Sequence, residues 1–78
     1  MVRVENIKVS GDIVSCDYFP ENKENKGFVK YDIKKDKIIE WKPTEENEWE
    51  AYVSHALSTI LKAIKNNDMK PVLYSYWY

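Results

Sequence analysis

Apolar and polar positions alternate through Val2–Val9 and again through Asp12–Phe19, the period of a pleated strand with one buried face. Ser10-Gly11 between them predicts a two-residue hairpin turn, because glycine accepts positive φ. That turn sets Ile7 opposite Val14 and Glu5 opposite Cys16. The next run, PENKENKG from Pro20 to Gly27, is polar, begins with proline and ends with glycine, and reads as a loop. FVKYDIK then carries Val29, Tyr31 and Ile33 on one side, and KIIEWK carries Ile39 and Trp41 on one side. A turn at Lys35-Asp36 would oppose Tyr31 to Glu40. A loop of Lys35–Lys37, with Asp36 or Lys37 left-handed, instead opposes Ile33 to Ile39 and Tyr31 to Trp41, and is the expected register. Tyr18 beside Val29, Cys16 beside Tyr31 and Val14 beside Ile33 complete a meander. Its shared apolar face holds Ile7, Val9, Val14, Cys16, Tyr18, Val29, Tyr31, Ile33, Ile39 and Trp41.

The period then changes. Trp49, Tyr52, Val53, Ala56, Leu57, Ile60, Leu61 and Ile64 recur at three- and four-residue intervals, a single apolar stripe on a helix. Thr44 after Pro43 is the expected N-cap. Glu45, Glu46 and Glu48 suit the positive end of the helix dipole, and Lys62 and Lys65 the negative end. Asn66-Asn67-Asp68 predicts the stop, since Asn accepts a left-handed C-cap. A helix over 44–66 is roughly 33 Å long and can cross the sheet. Pro71 precedes a second alternating run, VLYSYWY. It predicts a last strand over 70–78, with Val72, Tyr74, Tyr76 and Tyr78 on one side and Leu73, Ser75 and Trp77 on the other. Beside strand one it gives a wholly antiparallel sheet in the order 5-1-2-3-4 and supplies Val2 and Val4 with a neighbour. A parallel place beside strand four is the other option. The expectation is therefore one α+β domain over 1–78: a meander over 1–42, a long amphipathic helix, and a C-terminal aromatic strand (β-β-β-β-α-β).

Composition narrows the function classes. The chain has 78 residues, 44% hydrophobic and 32% charged, with a formal charge of -1. So small a core leaves little room for a deep catalytic cleft. Lys and Arg number 12 against 13 Asp and Glu, and Arg3 is the one arginine, whereas dedicated nucleic-acid binders carry a basic excess rich in arginine. A single cysteine excludes an internal disulfide and a cysteine-based metal site. No apolar leader or membrane span is visible, and a reducing, cytoplasmic setting is expected. Frequent Asn, Lys, Ile and Tyr point to an AT-rich coding genome, that of a low-GC bacterium or its phage.

Candidate chemistry is sparse. Cys16 falls on the apolar face and is expected to pack as a small hydrophobe. His55 falls opposite the helix stripe, near Ala51, Ser58 and Lys62, and is expected to face solvent; the small neighbours there offer a second helix an approach. Glu45, Glu46, Glu48 and Glu50 have a structural reason to sit at a helix start and lack the glycine of a calcium loop. There is no phosphate-binding glycine loop and no serine elbow, so no catalytic residue, metal ligand or cofactor is assigned. Two surfaces remain. Tyr74, Tyr76, Trp77 and Tyr78 form an aromatic terminus of the composition favoured at protein interfaces. Lys30, Lys34, Lys35, Lys37 and Lys42, near Phe28, cluster on the third hairpin and could hold phosphates beside a stacking ring, or guard a sheet edge. The expected function is a small non-catalytic protein-interaction module, self-associating into a homodimer or binding another protein. The alternative is weak nucleic-acid binding through the lysine hairpin.

Overall fold

The computed structural model describes residues 1–44 and 51–77. In them β1 (Val2–Ser10), β2 (Ile13–Pro20), β3 (Gly27–Asp32) and β4 (Lys37–Lys42) are followed by α1 (Ala51–Lys65) and β5 (Leu73–Ser75). The five strands form one antiparallel sheet in the order β4-β3-β2-β1-β5. This is the α+β arrangement and the strand order expected from the pattern. Thr44 is described, whereas Glu45, Glu46, Glu48, Trp49, Glu50 and Tyr78 lie outside the described residues.

The registers differ from expectation: β2 slides on β3 by two residues, which keeps each strand's face, whereas one-residue slips in β1 and β4 do not. The first turn is Gly11-Asp12 rather than Ser10-Gly11, with Gly11 at φ 60, so Val9 rather than Ile7 opposes Val14. Between Glu5 and Lys8 the pairing then slips by one residue, and Asn6 there stands at φ 53. This is a β-bulge, which re-aims the strand on either side of it. It explains why Val2 and Val4 are fully buried although they are out of phase with Ile7, which also packs on the core. Strand β2 meets β3 with Cys16 opposite Val29 and Val14 opposite Tyr31. Strand β4 pairs Trp41 with Val29 and, after a second bulge at Ile39, Ile38 with Tyr31. Asp36 closes that hairpin at φ 52, while Asp32 Oδ1 accepts a 3.0 Å hydrogen bond from the Lys35 amide. The bulge leaves Ile39 52% exposed, and Val9, at the end of its strand, is 50% exposed. Neither belongs to the buried face on which alternation had placed it.

Among the described residues Tyr18 is the largest fully buried side chain, and it explains a glycine. Gly27 pairs with Tyr18 across the strands. A Cβ on Gly27 would lie 2.3 Å from Tyr18 Cζ, so the ring occupies the space any other side chain would need. Trp41 Nε1 donates a 2.6 Å hydrogen bond to the Tyr18 hydroxyl, which supplies the buried phenol with a partner.

Helix α1 buries Val53, Ala56, Leu57, Ile60 and Ala63 against the sheet. The stripe is rotated slightly from expectation: Ala63 is inside and Ile64 is 37% exposed. At its end Asn67 is left-handed at φ 51; its amide donates to the Ile64 carbonyl and the Asp68 amide to the Ala63 carbonyl. That pair of bonds is a Schellman motif, which satisfies the last helical carbonyls and turns the chain toward β5. Helix α1 packs against β5, β1, β2 and β3; among the described residues its backbone does not come close to that of β4.

Candidate interaction surface

The C-terminal run divides by side, as alternation requires. Strand β5 pairs with β1 through Leu73 opposite Val4, Tyr74 opposite Arg3 and Ser75 opposite Val2. Leu73 and Trp77 pack on the core. The Trp77 ring lies flat on His55, with centroids 4.0 Å apart and planes within 3°, and meets Tyr52 edge-on at 5.7 Å. Tyr52 in turn donates from its hydroxyl to Glu21 Oε1 at 3.3 Å. His55 therefore does not face open solvent as expected. The tail closes over that side of the helix, because Trp77 is in phase with Leu73 and a strand in this position carries that phase across α1. Among the described residues of the expected 70–78, strand character is confined to Leu73–Ser75.

Tyr74 and Tyr76 point the other way. They are 48% and 65% exposed, and their rings stack with centroids 6.3 Å apart. Beside them Arg3 lies over the Phe19 ring at 4.2 Å and donates from Nε to Glu5 Oε2 at 2.6 Å. The surface around the pair is thus an ordered cation and rings. Of the expected aromatic quartet, Trp77 is structural, Tyr74 and Tyr76 are displayed, and Tyr78 lies outside the described residues.

The lysines do not converge. Lys30 and Lys42 alternate with the buried Val29 and the packed Trp41, so they rise from the sheet face away from α1. Lys42 Nζ lies 5.9 Å from the Phe28 ring centre and 3.3 Å from Glu40 Oε2. Lys34 and Lys35 occupy the hairpin turn. Lys37 lines a groove on the helix side of the sheet. On the outer face Asp17 is held by Lys26 Nζ at 3.2 Å and Asn6 Nδ2 at 3.3 Å, so acid and base are interleaved there.

Cys16 is buried. Burial pushes its thiol up to about 12, and the neighbouring Asp17 carboxylate adds in the same direction. It stays protonated at neutral pH, the opposite of an activated nucleophile. Among the described residues no three His, Cys, Asp or Glu side chains gather where a metal ion could sit, and no helix is long and apolar enough to cross a membrane.

One feature escapes sequence reasoning: the groove between β4 and α1, about 590 Å³, lined mainly by Tyr31, Ile38, Trp41, Val53 and Leu57. Its only sequence signal is the Ile38-Ile39 doublet, which breaks strict alternation. No protein-family model, curated protein or solved structure matches this chain.

Proposed function

We propose that the chain is a non-catalytic protein-interaction module that self-associates through the β5 edge, with Tyr74 and Tyr76 as the contact pair. The observation that carries this reading is the stacked, outward-facing pair of Tyr74 on the edge strand β5 and Tyr76 just beyond it, beside a Trp77 that is packed inward. Two aligned rings offer a large apolar area whose side chains lose little rotamer freedom on binding, which is why tyrosine is enriched at interfaces. An edge strand also has one row of backbone groups ready to pair with another strand. A single buried cysteine fits a reducing, cytoplasmic setting.

The test is molar mass by light scattering across a concentration series. The unaltered chain is expected to move from monomer to dimer as concentration rises. Tyr74→Ser/Tyr76→Ser is expected to remain monomeric at every concentration, with an unchanged thermal midpoint because neither ring is buried. A chain that stays monomeric throughout sinks the reading.

Nucleic-acid binding is the second reading, favoured by Lys42 over Phe28, a ring and cation on one exposed face. It demands a mobility shift with mixed single-stranded oligonucleotides at low salt that fades steeply as salt rises. No shift at low salt removes it.

A further inference from the structure

We infer that one end of the molecule, where the β3–β4 turn and the last turn of α1 stand, is a docking surface for an anionic lipid bilayer. Topology gathers the charge there. Strands β1 and β3 finish at this end, and β2 and β4 start from it. Their two turns are tied together by the Ile33 amide, which donates to the Asp12 carbonyl at 2.8 Å. Helix α1 runs toward the same end. It starts beside Glu21, to which Tyr52 donates, and past its last turn Met69 and Lys70 line a cleft with Asn6 and Ile7, midway along β1. Lys34, Lys35 and Lys37 come from the hairpin, Lys62, Lys65 and Lys70 from the helix end and the segment after it, and Lys8 from β1. These seven lysines face four acids (Asp12, Asp32, Asp36 and Asp68), which leaves +3. The other five basic and five acidic side chains of the described residues cancel. All seven lysines are exposed, and none makes an ion pair among the described residues. Thr44 and Ala51, which flank the acidic run 45–50, both lie at the opposite end, past β4 and at the start of α1.

Aliphatic side chains open at the basic end. Val9 is 50%, Met69 40% and Ile64 37% exposed. Val9 pairs with the buried Val14, and Ile64 lies one turn beyond the buried Ile60. Both belong to the layer between sheet and helix, which meets solvent where the helix stops. Lysines around aliphatic groups match an anionic bilayer: the ammonium groups stay at the phosphates while the apolar groups enter the acyl boundary. Nucleic acid is matched instead by stacking rings and arginine. The exposed tyrosines, Tyr74 and Tyr76, and the one arginine, Arg3, stand at the Val2 end of β1. The surface is therefore separate from the β5 contact pair.

The experiment is co-sedimentation of the full chain with vesicles of phosphatidylcholine alone and of phosphatidylcholine mixed with phosphatidylglycerol. Binding is expected to the mixed vesicles only, fading as salt rises. One lysine near an anionic surface is worth roughly fivefold. Lys34→Gln/Lys35→Gln/Lys37→Gln and Lys65→Gln/Lys70→Gln are therefore each expected to weaken binding roughly tenfold or more, with unchanged thermal midpoints. Val9→Ser/Met69→Ser is expected to weaken it roughly tenfold at constant charge, and Tyr74→Ser/Tyr76→Ser to leave it unchanged. No sedimentation with mixed vesicles at low salt overturns the inference, as does equal sedimentation with both kinds. Weakening by one lysine set alone would place the contact at one corner and overturn the end-on arrangement. Release by inorganic phosphate, beyond that caused by chloride at equal ionic strength, would mark a site for single phosphates instead. Single-stranded oligonucleotides that bind through the same lysines while vesicles do not would assign the end to nucleic acid.

Discussion

Tyr18→Ala is expected to leave the chain largely unfolded at room temperature. Tyr18 is fully buried, and truncating a buried aromatic side chain to alanine costs about 3–5 kcal/mol. A core of this size supplies roughly 5 kcal/mol or less in total, so the loss is comparable to the whole stability. Two further effects act in the same direction. The Trp41 indole loses its 2.6 Å acceptor, and the cavity opens over Gly27, which has no side chain to collapse into it. Urea unfolding followed by circular dichroism reads the result, and a midpoint close to that of the unaltered chain would refute the account. The companion change is Gly27→Ala. Alone it forces the new Cβ into the Tyr18 ring and is expected to cost about 1–3 kcal/mol. Tyr18→Ala/Gly27→Ala should be more stable than the sum of the two single changes, because each relieves what the other creates. Additivity would mean that ring and glycine do not compete for one space.

Removing residues 70–78 is the second large effect, and it is expected to abolish cooperative unfolding. Val2 and Val4 are fully buried, and their strand pairs with Leu73–Ser75 on one side. Ending the chain at Met69 unpairs that edge, uncovers both valines and strips Trp77 from His55 and Tyr52. Burial of Leu73 and Trp77 alone is worth a few kcal/mol, about 1.5–3 for each side chain if fully buried. Against roughly 5 kcal/mol in total, that leaves little margin. The measurement is a thermal melt of the truncated chain beside Tyr74→Ser/Tyr76→Ser. Truncation should give a broad, featureless trace, and the double substitution a normal one. A sharp melt from the truncated chain would show that the tail is an appendage. The comparison separates the structural half of the aromatic terminus from the displayed half, which deletion alone confounds.

Much of the fold was legible because each element imposes a period. The stripe through Val53, Ala56, Leu57 and Ile60 is helical wherever it is placed, and the chain order of strands and helix favours an antiparallel sheet with the tail beside β1. Even the bulge at Asn6 left a trace: apolar positions run Val2, Val4 and then Ile7, Val9, a change of phase across a residue that tolerates left-handed φ. Read as one unbroken strand, that phase change hides Val2 and Val4 from the core.

The pairing registers were a different matter. Alternation has a period of two residues, so sliding a strand by two leaves every side chain on its own face. Cys16 beside Tyr31 and Cys16 beside Val29 satisfy the pattern equally. What separates them is volume: the Tyr18 ring needs an empty position opposite, and Gly27 is the residue that provides one. The same limit applies to the tail. Alternation separates Leu73 and Trp77 from Tyr74 and Tyr76, but which row meets the helix depends on where β5 docks. The groove beside β4 depends on where α1 lies across the sheet, a distance between elements far apart in the chain. Local periodicity thus settles what each segment is and which residues share a side, because backbone geometry repeats identically along an element. Register, exposure and the space between elements follow from fitting side-chain volumes together in three dimensions, and one-dimensional order does not contain that fit.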